Sequence, residues 1–110
     1  PMATRQTSAV VLNKLAAVMP QLMGGSADLA PSNLSDMKDT DEIKYGTFAP
    51  DSYEGRNIHF GIREHAMAAI ANGMQLHGGI QAYCATFFVF SDCKPAMRLA
   101  ALIIFPSRTS

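Results

Sequence analysis

This sequence predicts an α/β domain, a parallel sheet flanked by helices, and two observations carry that prediction. Segments of strand character alternate with segments of helical periodicity, an order that implies parallel strands joined by right-handed crossovers. The run from Ile80 to Phe90 is apolar and aromatic almost without alternation, as a parallel strand covered on both faces would be.

The first helix is expected to start near Thr4 or Thr7, either of which could cap it, because Val11, Leu15, Val18 and Met19 recur at helical spacing. Pro20 marks its end. Leu22 and Met23 then suggest a short buried strand, with Gly24-Gly25 as a tight turn behind it. Residues 30–54 are polar and punctuated by Pro31, Gly46 and Pro50, and a loop of that length is usually functional or mobile. Arg56 to Phe60 reads as a strand ending at Gly61. Ile62 to Leu76 reads as a helix stopped by Gly78-Gly79. Its centre, Ala66 to Ala71, is apolar nearly all round, so solvent should see little of it. Pro95 suits the first turn of a last helix through Ala96, Leu99, Ala100 and Ile103. A further strand is expected where the chain stops at Ser110, so residues 1–110 are read as one partial domain, incomplete at the C-terminus.

Composition narrows the function classes. The 110 residues suffice for one domain, and 9 basic against 9 acidic residues give no pull toward nucleic acid or an anionic membrane. With 48% apolar and only 16% charged residues, the chain holds more apolar surface than a small monomer buries, which points to contact with another subunit or domain. No apolar run reaches the roughly 18 residues of a membrane span, and the N-terminus lacks a signal-peptide pattern. Cys84 and Cys93 show neither paired nor metal-like spacing and read as reduced thiols of a cytoplasmic protein.

Ligands of parallel sheets bind outside the carboxyl ends of the strands. That rule selects Gly24 to Ser32, Gly61 to Glu64 and Thr86 to Phe90. Glu64, in the first turn of an apolar helix, has two readings: a carboxylate that complements the helix dipole, or a half-buried carboxyl that holds or passes a proton. Phe87, Phe88 and Phe90 would be core in most proteins. Phe87 and Phe90 lie three apart and could share a pocket only if the strand ends and the chain turns, which Ser91-Asp92 before Pro95 allows. Gly24 to Asp28 resembles a phosphate cradle only loosely. His65 and His77 stand twelve apart on one helix and cannot share an ion, so no metal is expected within the chain. Arg5 and Arg63 are by default solvated or ion-paired.

Three stretches resemble the transketolase family: GGSADLAPSNL from Gly24 to Leu34, GRNIHFGIREHAMAAIANGMQLHGG from Gly55 to Gly79, and AYCATFFVF from Ala82 to Phe90. Thr4-Arg5 leading into the first helix is similar to the start of that family's pyrimidine-binding domain. The resemblance spans roughly residues 1 to 104. It implies a thiamine-diphosphate enzyme that moves a two-carbon ketol unit from a ketose phosphate to an aldose phosphate, in the pentose phosphate pathway or the Calvin cycle. It implies Glu64 as the catalytic glutamate, hydrogen-bonded to the cofactor's aminopyrimidine ring, with Phe90 and Phe87 around that ring. Such a carboxyl must be kept able to donate a hydrogen bond by an apolar site or by its partner, and the organic chemistry belongs to the cofactor. Asp28 matches an acidic position near the cofactor, and Arg5 and Ser32 match positions that hold the substrate's phosphate. The diphosphate and Mg²⁺ ligands belong to another domain type in the partner subunit of a homodimer, outside this chain. Two places depart from the family pattern. After Phe-Ser-Asp the chain has Cys93 alone where the family has a tyrosine and one more residue, and the end from Phe105 to Ser110 differs. The chain alone is therefore expected to be inactive. Alternatives are a deoxyxylulose-phosphate or dihydroxyacetone synthase, and a truncated, non-catalytic assembly module.

Overall fold

The computed structural model describes residues 1–109, without the side chains of Phe88 and residues 104–109. The expectations for Phe88 as core, for the side chains from Phe105 onward and for Ser110 lie outside the described part. The chain runs α1 (Thr4–Val18), β1 (Leu22–Ser26), α2 (Ala30–Asn33), β2 (Asn57–His59), α3 (Glu64–His77), β3 (Gln81–Ala85), a 3-10 turn (Phe88–Cys93) and α4 (Lys94–Thr109). The sheet is parallel throughout with order β2-β1-β3, so the predicted α/β class holds. Ser26 stands opposite both His59 and Ala85, which aligns the carboxyl ends of all three strands along one edge.

Several elements differ from the sequence reading, each for a physical reason. Ala3, not a threonine, precedes α1, and Gln6 caps it by accepting the Ala3 N–H on Oε1 at 3.0 Å. Gly24 and Gly25 lie inside β1 rather than in a turn. A Cβ on Gly25 would sit 1.8 Å from the Ile58 carbonyl oxygen, so the glycines permit close strand approach. The apolar run at 80–90 makes a strand only over Gln81–Ala85. That strand is an edge of the sheet, with Cys84 exposed, rather than one covered on both faces. Nor is α3 sunk in the core: Met67 and Ala68 are buried, but Ile70 is 49% exposed.

The polar stretch after α2 is pinned rather than free. Asn57 Oδ1 accepts from Met37 N–H at 2.8 Å and its Nδ2 donates to Met37 O at 3.0 Å. Tyr83 donates its hydroxyl to Ser35 O at 2.8 Å, and burial, reinforced by Asp36, pushes that phenol well above its ordinary pKa. Arg56 ties α1 to the sheet. Its Nη2 donates to Ala16 O at 3.1 Å and Met19 O at 2.6 Å, its Nε donates to Leu22 O at 2.9 Å, and the guanidinium lies 4.8 Å from the Tyr45 ring centre. It thereby satisfies carbonyls that the end of α1 would leave orphaned. Two buried clusters result. Ala16, Leu22, Met37 and Tyr45 form the one beside α1, while Ala27, Phe60, Met67, Ala68, Cys93 and Ala96 form the one beneath α3 and α4.

Candidate active site

The second cluster sits directly behind the carboxyl edge, and three segments leave the sheet there. After β2 the chain reverses at Gly61, whose φ of 72° suits a residue without a Cβ. Arg63 folds back across Gly61 and donates from Nη1 to Phe60 O at 2.8 Å. Arg63 is exposed, as its default reading as a surface group has it, and this one bond ties it to the end of β2. α3 begins at Glu64, with Met67 N–H donating to Arg63 O at 2.8 Å as an opening helical bond. Glu64 is therefore the first helical residue, half-buried, with the apolar cluster of Phe60, Met67 and Ala68 behind it.

The second segment follows β3. The strand stops at Ala85 and the chain turns, with Phe90 N–H donating to Phe87 O at 3.0 Å. The turn that Phe87 and Phe90 needed in order to share a site is therefore present. Both rings stand out from the core, 42% and 46% exposed, against the usual fate of such residues. Cys93, the last residue of the 3-10 turn, donates its thiol to the Glu64 carbonyl oxygen at 3.1 Å. This contact joins the aromatic turn to the start of α3, and nothing in the spacing of the two residues announced it.

The third segment follows β1. Asp28 is exposed and takes φ 63°, a left-handed conformation uncommon outside glycine although tolerated by aspartate. The residue stands just beyond the carboxyl end of β1. Ser26 is buried and accepts from Asn33 Nδ2 at 3.0 Å. Arg5, from the first turn of α1, donates from Nη1 to Ser32 O at 3.2 Å, so the structure brings together two residues 27 apart in sequence. Asn33 Oδ1 and Thr86 Oγ1, both at this edge, are buried without a hydrogen-bond partner, an unusual state for buried polar atoms. A cavity of about 630 Å³ opens between α1 and β3, lined by Val11, Leu15, Asn33 and Tyr83 among others. Glu64, Phe87 and Phe90 do not line it. Among the described residues no group of three or more His, Cys, Asp or Glu could hold a metal ion, and no helix is long and apolar enough to cross a membrane.

Comparison with known proteins gives a consistent result. The family model described as transketolase, pyrimidine binding domain, matches residues 1–108. The transketolase of Geobacillus stearothermophilus is 56% identical over 106 residues, covering 96% of this chain and 15% of the relative. The chloroplastic transketolase of Zea mays is 53% identical over 102 residues, covering 91% and 14%. Among solved structures, transketolase from Campylobacter jejuni superposes with a TM-score of 0.80 at 48% identity, over 92% of this chain and 15% of that one. A Pichia stipitis transketolase in complex with sedoheptulose-7-phosphate gives 0.81 at 42% identity, over 89% and 15%. The chain thus spans about 15% of the length of these relatives.

Proposed function

The chain belongs to the transketolase pyrimidine-binding domain family, and from that premise we propose that it forms the ring-binding half of a thiamine-diphosphate site in a ketol-transferring enzyme. The bound cofactor supplies a carbon nucleophile; this chain's residues hold its pyrimidine ring and control a proton on it. Glu64 is the acid that hydrogen-bonds the ring, and Phe87 with Phe90 are the aromatic faces that hold it. What carries the reading is that the half-buried Glu64 and an exposed aromatic turn stand at one sheet edge, the turn tied through the Cys93 thiol to the Glu64 backbone carbonyl. The unpartnered oxygens of Asn33 and Thr86 suit an edge that receives a polar ligand.

Asp28 contributes a further polar group toward the cofactor. Arg5 and Ser32 hold the phosphate of a ketose or aldose phosphate, the substrate class to which a neighbour's sedoheptulose-7-phosphate belongs. The Arg5–Ser32 bond keeps one guanidinium nitrogen on a backbone carbonyl and leaves other donors for an anion. The diphosphate and Mg²⁺ ligands lie outside this chain, on the partner subunit of a homodimer, and the enzyme works in the cytoplasm, in the pentose phosphate pathway or the Calvin cycle.

The test is Glu64→Gln in the complete enzyme. Glutamine keeps the size and a hydrogen-bond donor but cannot transfer a proton, so turnover and deuterium exchange at the cofactor's reactive carbon should fall by about 10²–10⁴-fold. Circular dichroism and dimer mass should stay unchanged. Near-normal exchange and turnover would reduce Glu64 to a residue that complements a helix dipole.

A further inference from the structure

We propose that Cys93 is a positioning residue, whose thiol, by donating to the Glu64 carbonyl, fixes the aromatic turn against the first residue of α3. The proposal rests on the reading of Glu64 given above. Three observations carry it. The thiol reaches the Glu64 oxygen at 3.1 Å across 29 residues of sequence, joining the segment after β3 to the segment after β2. Cys93 is 4% exposed and shares its cluster with Ala27, Phe60, Met67, Ala68 and Ala96, so packing holds the thiol in place at a part-buried contact. The turn that Cys93 closes also contains Phe90 and begins beside Phe87. A shift of Cys93 therefore moves the aromatic faces relative to the carboxyl.

The bond adds to the helix rather than competing with it. A carbonyl oxygen has two lone pairs, and an intrahelical N–H uses one. Burial, and the nearby charges of Glu64 and Asp92, push the thiol's pKa up, so the S–H stays protonated and able to donate. An S–H···O contact is weak. From a donor held in a packed cluster its value lies in direction more than in strength.

The experiment compares Cys93→Ala and Cys93→Ser in the complete enzyme, with Glu64→Gln as reference. Alanine removes the donor, whereas serine keeps one in nearly the same place. In the apo enzyme, amide hydrogen exchange over residues 63–68 should rise in Cys93→Ala and stay near wild type in Cys93→Ser. With the cofactor bound, deuterium exchange at its reactive carbon should slow by about two- to five-fold in Cys93→Ala, the size a weak contact supports, and recover in Cys93→Ser. A merely structural cysteine gives a different order. Serine buries a hydroxyl among apolar neighbours, so stability should fall at least as much in serine as in alanine, and both readouts should follow melting temperature. That pattern, or wild-type behaviour of Cys93→Ala in both readouts, overturns the proposal. If Glu64→Gln exchanges normally, the functional reading fails and takes this inference with it. If Glu64→Gln is silent while Cys93→Ala is normal, only the positioning role is lost.

Discussion

Asn57 does with a side chain what a neighbouring strand would do with its backbone. Its carboxamide accepts one bond from Met37 and donates another to it, at 2.8 and 3.0 Å, and so anchors the long polar connection to β2. Its own backbone meanwhile pairs with Gly24. The residue is buried, so neither amide atom has water to fall back on. Asn57→Asp exchanges the donor for an acceptor and leaves the Met37 carbonyl facing a carboxylate. The expected loss at neutral pH is about 1–3 kcal/mol. The sign of the pH dependence follows from the chemistry. A protonated aspartic acid can donate to Met37 O and an ionised one cannot, so burial without a donor raises the mutant's carboxyl pKa in the folded state. The deficit relative to wild type should therefore shrink as pH falls through that value and grow as pH rises. Urea midpoints of the two proteins at matched pH values measure it, and a deficit independent of pH would mean the amide donor is not what matters.

At the scale of elements, two glycines make opposite predictions. Gly25 sits in the central strand, and a Cβ there would lie 1.8 Å from the Ile58 carbonyl oxygen and 2.8 Å from its carbon, both backbone atoms. Gly25→Ala must push β1 and β2 apart, an overpacking cost of about 1–3 kcal/mol. Gly73, inside α3, has nothing within 4 Å of the same added atom, so Gly73→Ala should stabilise by roughly 0.5–1 kcal/mol through helix propensity. Denaturant unfolding of both variants checks the contrast, and equal effects would contradict it. The pair also explains what the sequence could and could not reveal. Alternation of strand and helix, the break at Gly61 and the place of Glu64 follow from local periodicity and were legible. Gly24-Gly25 read as a turn because composition alone does not separate a bend from a close approach. The run from Ile80 to Phe90 read as one long buried strand because apolarity reports what a surface prefers, not what covers it. Here the last residues of that run form an exposed turn. The Cys93–Glu64 and Arg56–Met19 bonds span 29 and 37 residues, and no local pattern encodes such partners.

For the molecule as a whole, the surface is larger than the chain's size calls for. A folded monomer of this mass exposes about 5,900 Å² by the usual scaling, whereas this chain exposes 7475 Å². The radius of gyration, 14.2 Å, likewise exceeds the roughly 13 Å expected for a compact domain of this length. The excess is apolar in character: Val11, Leu15 and Val18 on α1, Ile70 and Leu76 on α3, and Leu99 and Leu102 on α4 all stand exposed. β3 adds an unpaired strand edge, and such edges invite pairing with another chain. A surface of this kind favours contact with further protein, such as the proposed partner subunit and domains. The 110-residue chain produced by itself should bind a hydrophobic dye such as ANS and sediment as concentration-dependent oligomers in the micromolar range. Replacing Leu15 and Ile70 by lysine, on surface positions that no buried cluster includes, should reduce both signals while leaving far-ultraviolet circular dichroism intact. A monodisperse monomer with no dye binding would mean that these apolar faces are tolerated in water, and the case for their being covered would fall.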